Sequence, residues 1–168
     1  MTAPKLLYLD ANIFIEMIEV ASARTFHLRD LLSANDGSRP PNLVTSELTL
    51  AEVLVKPYSN ANAGFIQDYE SMLTNGGPLL IVAPANRDVM KGAAALRGKY
   101  PSLKLPYAIH ISTAFEFDCT HFLSADQRLA LNYESPSALA SVSLMSKSIQ
   151  LLRPEPDVIS QLITEFSV

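Results

Sequence analysis

The sequence predicts an α/β fold, a mainly parallel sheet with helices on both faces, and three observations predict it. Short apolar runs suited to buried strands alternate with longer stretches whose apolar residues recur at helical spacing. No repeat, low-complexity tract or long linker interrupts that alternation, so residues 1–168 read as a single domain. The composition is globular, with 48% apolar and 18% charged residues. A chain of this length buries roughly 68–70% of its unfolded surface and needs no disulfides to fold.

The elements follow in order. The apolar run Lys5–Leu9 reads as a strand and stops at the polar Asp10. Ile13, Met17 and Val20 then sit at helical spacing, with Phe14 and Ile18 beside them. A second helix runs from Ala23 to Leu32 and carries Phe26, Leu28 and Leu31; residues 35–42 are loop by composition. Leu43-Val44 is a short strand, and Thr45 or Ser46 can cap a helix running to about Val55, where Pro57 is expected to stop it. Asn60–Leu73 reads as a helix, and Leu79–Val82 as a strand buried on both faces. Asn86–Tyr100 reads as a helix, followed by another with Pro106 in its first turn. His121–Ser124 and Ser148–Leu152 are strand candidates, and Asp157–Phe166 a last helix. Residues 133–146, rich in Ser and Ala, carry no clear pattern.

Charge and cysteine content narrow the function. Thirteen basic against 17 acidic residues leave a net charge of −4, so binding to nucleic acid would need a local basic patch. Cys119, the single cysteine, excludes an intramolecular disulfide and a cysteine-only zinc site. The first apolar run is too short for a signal-peptide core or a membrane span, so a cytoplasmic location is expected and no membrane partner.

Ligands of open parallel sheets bind beyond the carboxyl ends of the strands. Asp10 directly follows the first strand, and Asp126 lies two residues past Ser124 at the end of the fourth. Glu52 sits in the otherwise apolar stretch Leu48–Val55, where an unpartnered carboxylate is costly to bury. Converging, the three would form a hard-cation site. Taken singly, an Asp after a strand is more often a helix cap than a ligand, and Glu52 reads as a salt-bridged or half-exposed helix residue.

Four segments carry a family resemblance. Leu7-Tyr8-Leu9-Asp10-Ala11-Asn12-Ile13-Phe14 resembles the opening motif of PIN-domain ribonucleases, and residues 45–54 (TSELTLAEVL) their second. Residues 105–114 (LPYAIHISTA) resemble the third and residues 122–129 (FLSADQRL) the fourth, in the right order and across most of residues 5–152. Among PIN proteins the pattern is most like the toxins of VapBC toxin–antitoxin pairs. The resemblance implies a three-layer α/β/α sandwich with a central, mainly parallel sheet. It implies a Mg²⁺- or Mn²⁺-dependent endoribonuclease, an RNA substrate, a homodimer and an inhibiting antitoxin protein. Carried over by position, Asp10, Glu52 and Asp126 become the catalytic metal ligands, and Asn12 and Ser124 the polar residues that support them. Glu47 falls outside the set, about 140° around the helix from Glu52 at roughly 100° per residue.

One position departs. The family's third motif reads Leu-Pro-Asp-Ala-Ile-His, and here Tyr107 replaces the aspartate. A phenol with an ordinary pKa of about 10 is a poor Mg²⁺ ligand at neutral pH, so Tyr107 is expected to weaken metal binding and cleavage. Glu116 and Asp118 stand nine or more residues on, roughly 13 Å along a helix, too far to substitute. A catalytically dead PIN module that binds RNA or an antitoxin, and a housekeeping RNA-processing nuclease, are the alternatives.

Other residues have two readings. His110, one turn past Tyr107, could approach the site or be a packed, hydrogen-bonded histidine, the latter favoured. Lys99 and Lys104 before the third motif, and Arg128 after the fourth, could hold an RNA backbone or form a solvated face. Phe14, Ile18 and Phe26 read as core or as the wall of a groove for an antitoxin helix.

Overall fold

The computed structural model describes residues 6–34, 41–74, 79–136 and 148–166. Its elements are β1 (Leu6–Leu9), α1 (Ala11–Glu19), α2 (Ala23–Ser33), β2 (Leu43–Ser46), α3 (Glu47–Val53), α4 (Val55–Ser59), α5 (Ala63–Met72), β3 (Ile81–Ala83), α6 (Arg87–Lys99), α7 (Leu105–Glu116), β4 (Cys119–Leu123), β5 (Asn132–Glu134), β6 (Ser148–Leu152) and α8 (Pro156–Phe166). The strands form one sheet in the order β3-β2-β1-β4-β6-β5. All neighbours are parallel except β5, which runs antiparallel to β6 with Tyr133 opposite Ile149.

Alternation along the strands builds two cores. Leu7 and Leu9 of β1 and Leu123 of β4 pack with α1, α2, α5 and α8 on one face. Tyr8 and Phe122 point the other way, into a core with α6 and α7. The Tyr8 and Phe122 rings stack there at a centroid distance of 4.8 Å. The result is the expected sheet between two helical layers.

Strand order reverses around β1: the chain passes from β1 to β2 on one side and later returns to place β4 on the other. Such a switch point opens a crevice at the carboxyl ends of the flanking strands. Asp10 and Ser124 stand at those ends, and the Asp10 N–H donates to the Leu123 carbonyl at 3.1 Å.

Three local expectations are corrected. Pro57 ends α3 but not the helical path, for it lies buried inside α4. Pro57 has no N–H to offer the Val53 carbonyl four residues back, so α3 ends at Val53 and the helical path resumes at once in α4, where a first-turn proline costs little. The next helix starts at Ala63 rather than Asn60, because Ala61 adopts a positive φ of 50° and Asn62 then caps the Phe65 N–H. Phe26 is not core: it is 65% exposed on α2, whereas Phe14 is fully buried and Ile18 partly so. Of residues 133–146, Tyr133 and Glu134 belong to β5; 137–146 lie outside the described residues.

Candidate metal centre

The β1–α1 junction places the first acid. Asp10 is 2% exposed and caps α1, its Oδ1 accepting from the Ala11 N–H at 2.8 Å. Its Oδ2 accepts from Asn12 Nδ2 at 2.6 Å and from the Ser124 hydroxyl at 2.5 Å. The cap reading of Asp10 is thus observed, and the same carboxylate also meets Asn12 and Ser124. The Ser124 Oγ also accepts from Asn12 Nδ2 at 3.0 Å and from the Asp126 N–H at 3.1 Å, which fills a hydroxyl's capacity. Asn12 Oδ1 in turn accepts from the Ala125 N–H at 3.0 Å. This network ties the start of α1 to the loop after β4.

Helix α3 brings the second acid. Ser46 caps α3 through the Leu48 N–H, and Glu52 projects from the same helix, half-buried. Glu47 is exposed on the other side of α3. Helix α7 contributes His110, 1% exposed. Its Nε2 lies 2.9 Å from Glu52 Oε2 and its Nδ1 2.7 Å from the Tyr8 hydroxyl. Burial pushes the Tyr8 phenol well above its ordinary pKa, and the nearby Asp10 charge adds to this, so Tyr8 keeps its proton.

Ligand atoms of Asp10, Glu52 and His110 all lie within 4.8 Å of one another. Two carboxylate oxygens and a ring nitrogen at that spacing suit a divalent cation, so the donor set fits the metal that the family resemblance implies.

The third acid stands beside this cluster with its charge already matched. Arg128 donates to Asp126 Oδ2 from Nη2 at 2.6 Å and to Oδ1 from Nε at 2.9 Å. The Tyr107 hydroxyl donates to Asp126 Oδ2, and Arg128 Nη2 also donates to the Tyr107 oxygen at 2.5 Å. The Arg128 guanidinium holds the Asp126 carboxyl well below the usual carboxylate range against the penalty of burial, with help from the Tyr107 hydrogen bond. Burial and the bond to Asp126 push the Tyr107 phenol up to about 12. Tyr107 therefore occupies the position of the missing aspartate as a neutral donor.

The remaining basic candidates lie earlier in the chain. Lys99, in the last turn of α6, pairs with Glu134 at 3.0 Å, and Lys104 is the exposed N-cap residue of α7. Glu116 ends α7, and Asp118 follows that same C-terminus, at the end opposite Tyr107. Two residues of the site went unnoticed in the sequence. Tyr8 looks like any apolar strand residue. Arg153, just past β6, donates to the carbonyls of Ser124, Asp126 and Leu129 at 3.1, 2.6 and 3.0 Å and so fixes the loop that carries Asp126.

Fold and site together define an α/β protein with a carboxylate centre at its sheet switch point. The PIN-domain family profile matches residues 7–134, and the chain belongs to that family. PIN domains are generally nucleases. No curated protein matches the sequence. Similar solved structures include a toxin–antitoxin complex from Klebsiella pneumoniae, 23% identical, covering 74% of this chain and 88% of that one with a TM-score of 0.54. FitAcB from Neisseria gonorrhoeae is 16% identical over 89% of this chain and 98% of its own, with a TM-score of 0.57. The sarcin–ricin-loop-cleaving toxin VapC20 of Mycobacterium tuberculosis is 14% identical over 69% and 86%, with a TM-score of 0.53. At these identities the likeness is one of fold.

Proposed function

We propose that the protein is a metal-dependent endoribonuclease of the VapC toxin type, attenuated by Tyr107. The observation that carries the reading is the convergence of Asp10, Glu52 and His110 at the sheet switch point of a PIN domain. Asp10 and Glu52 would hold a Mg²⁺ or Mn²⁺ ion, with Asp126 joining them once released from Arg128. A bound cation supplies a nucleophilic hydroxide at neutral pH and stabilises the leaving oxygen of an RNA phosphodiester. Asn12 and Ser124 keep the Asp10 carboxylate oriented, and Lys104 offers a positive charge for the RNA backbone. Partners are an antitoxin protein and a second copy of the chain, in the cytoplasm; the toxin–antitoxin complex among the similar structures supports the first.

A second reading is a catalytically silent PIN module that binds RNA or an antitoxin. It is favoured by one observation, the engagement of Asp126 by Arg128 and Tyr107. Mn²⁺-dependent RNA cleavage, measured for the protein and its Tyr107→Asp form side by side, separates the two. Cleavage by the Asp form with little or none by the native protein is the expected result. Equal cleavage by both would refute the attenuation, and silence from both would favour the binding module.

A further inference from the structure

His110 is buried at the edge of the candidate centre. Its ring is 1% exposed, and both nitrogens face oxygen atoms at hydrogen-bond distance. One of these is a carboxylate of the candidate centre, and the Asp10 carboxylate lies within 4.8 Å of the same group. When Nδ1 carries the ring proton and donates it to the Tyr8 oxygen, Nε2 presents a lone pair toward two carboxylates. In that tautomer, acceptors this close need a cation between them; with the proton on Nε2 the same contact is an ordinary hydrogen bond to Glu52.

We propose that His110 Nε2 is a ligand of the cation, alongside Asp10 and Glu52, and that this nitrogen makes the centre select Mn²⁺ over Mg²⁺. The inference rests on the divalent-cation premise of the proposed function, and it names the ion and the third donor. The chemistry follows from ligand softness. Mg²⁺ keeps an all-oxygen octahedral shell and resists losing it, whereas imidazole favours first-row transition ions. The Tyr8 oxygen at 2.7 Å from Nδ1 is the outer partner that a metal-bound imidazole ordinarily has, fixing the tautomer and the ring plane. With Tyr107 where the family motif has aspartate, the first turns of α7 carry no carboxylate, and the donor they turn toward Asp10 and Glu52 is the His110 nitrogen. His27 on α2 and His121 on β4 are outside the cluster, so His110 is its histidine among the described residues.

The test is pulsed electron paramagnetic resonance on the full chain loaded with Mn²⁺ alone, with natural-abundance and with ¹⁵N-histidine protein, beside titration calorimetry with Mn²⁺ and with Mg²⁺. The expected result is a directly bound nitrogen whose coupling changes on histidine labelling, with Mn²⁺ bound at least about tenfold tighter than Mg²⁺. His110→Gln should abolish that coupling and cost about tenfold or more in Mn²⁺ affinity. Tyr8→Phe, which leaves the imidazole in place but removes its outer partner, should cost on the order of tenfold. An all-oxygen shell around bound Mn²⁺, no Mn²⁺ binding, or equal affinity for the two ions would each overturn the assignment. If His110→Gln does not fold, the labelled native protein decides alone. RNA cleavage by the Tyr107→Asp form, assayed in Mn²⁺ alongside, separates the two proposals. Nitrogen coupling in the native protein without cleavage by that form retains the ligand and rejects the nuclease; cleavage by that form without nitrogen coupling does the reverse.

Discussion

The Tyr107 hydroxyl donates to the carboxylate of Asp126, and Arg128 Nη2 reaches both, 2.5 Å from the phenol oxygen and 2.6 Å from Oδ2. A neutral donor and a cation thus surround an acid that the fold places next to the Asp10–Glu52–His110 cluster. The electrostatic consequence is that a divalent ion binding there would have to compete with a guanidinium for Asp126.

Replacing Tyr107 with Asp reverses this balance. The new carboxylate would stand beside Asp126, and like charges repel unless a cation lies between them. Tyr107→Asp is therefore expected to melt at a lower temperature than the native protein in chelator and to regain that loss in Mn²⁺. Its Mn²⁺ affinity should rise by about tenfold or more, equivalent to about 1.4 kcal/mol. Scanning calorimetry with and without the ion checks both signs; a variant indifferent to Mn²⁺ would contradict the account.

The Asp126–Arg128 pair also sets a pH dependence. The folded-state pKa of Asp126 is depressed, so its contribution to stability is present above the ordinary carboxylate pKa of about 3.9 and fades as pH falls below it. In Arg128→Ala the Asp126 carboxyl should titrate at higher pH, readable by carbon NMR of the labelled side chain. Because Arg128 is exposed, melting at neutral pH should hardly change. An unshifted titration would mean that the guanidinium is not what holds the acid down.

Ser124→Ala tests the network behind Asp10. The hydroxyl is fully buried and makes three hydrogen bonds, so its removal leaves the Asp126 N–H unsatisfied and Asp10 less firmly held. A loss of about 1–3 kcal/mol is expected in urea unfolding. The same variant should bind Mn²⁺ more weakly, because the carboxylate must then be ordered by the ion itself.

Lysine substitutions test the RNA contact. Lys104 is exposed beside the first turn of α7, whereas Lys99 is paired with Glu134. Lys104→Ala should reduce the slope of log affinity against log salt by about one for single-stranded RNA, and Lys99→Ala by less. Equal, unchanged slopes would remove both residues from the interface.

Cys119 gives a simpler check. Burial pushes its thiol up to about 12, with the Asp118 charge contributing. A thiol reagent at pH 8 should label the unfolded chain and spare the native one.

Much of this could be read before any coordinates, because the informative segments are self-contained. β1 and β4 each show as an apolar run that ends at a residue of the site, Asp10 or Ser124. Tyr133 of β5 could not be read so: it is the lone apolar residue of a three-residue strand that exists through pairing with β6. The engagement of Arg128 was equally hidden. A basic residue two positions past an acid resembles a free RNA contact until Tyr107, 21 residues earlier, is seen at its other side. His110 was expected to be hydrogen-bonded, and it is; that one of its partners would be Glu52, 58 residues away, is a property of packing between α3 and α7.

Those separations have a consequence for synthesis. Asp10 meets Ser124 across 114 residues, and Glu52 meets His110 across 58. A chain still emerging from the ribosome has its first two acids early but nothing to orient them. The centre comes into being only when β4 settles beside β1, so its acids and the groups that orient them assemble only after most of the chain has been made.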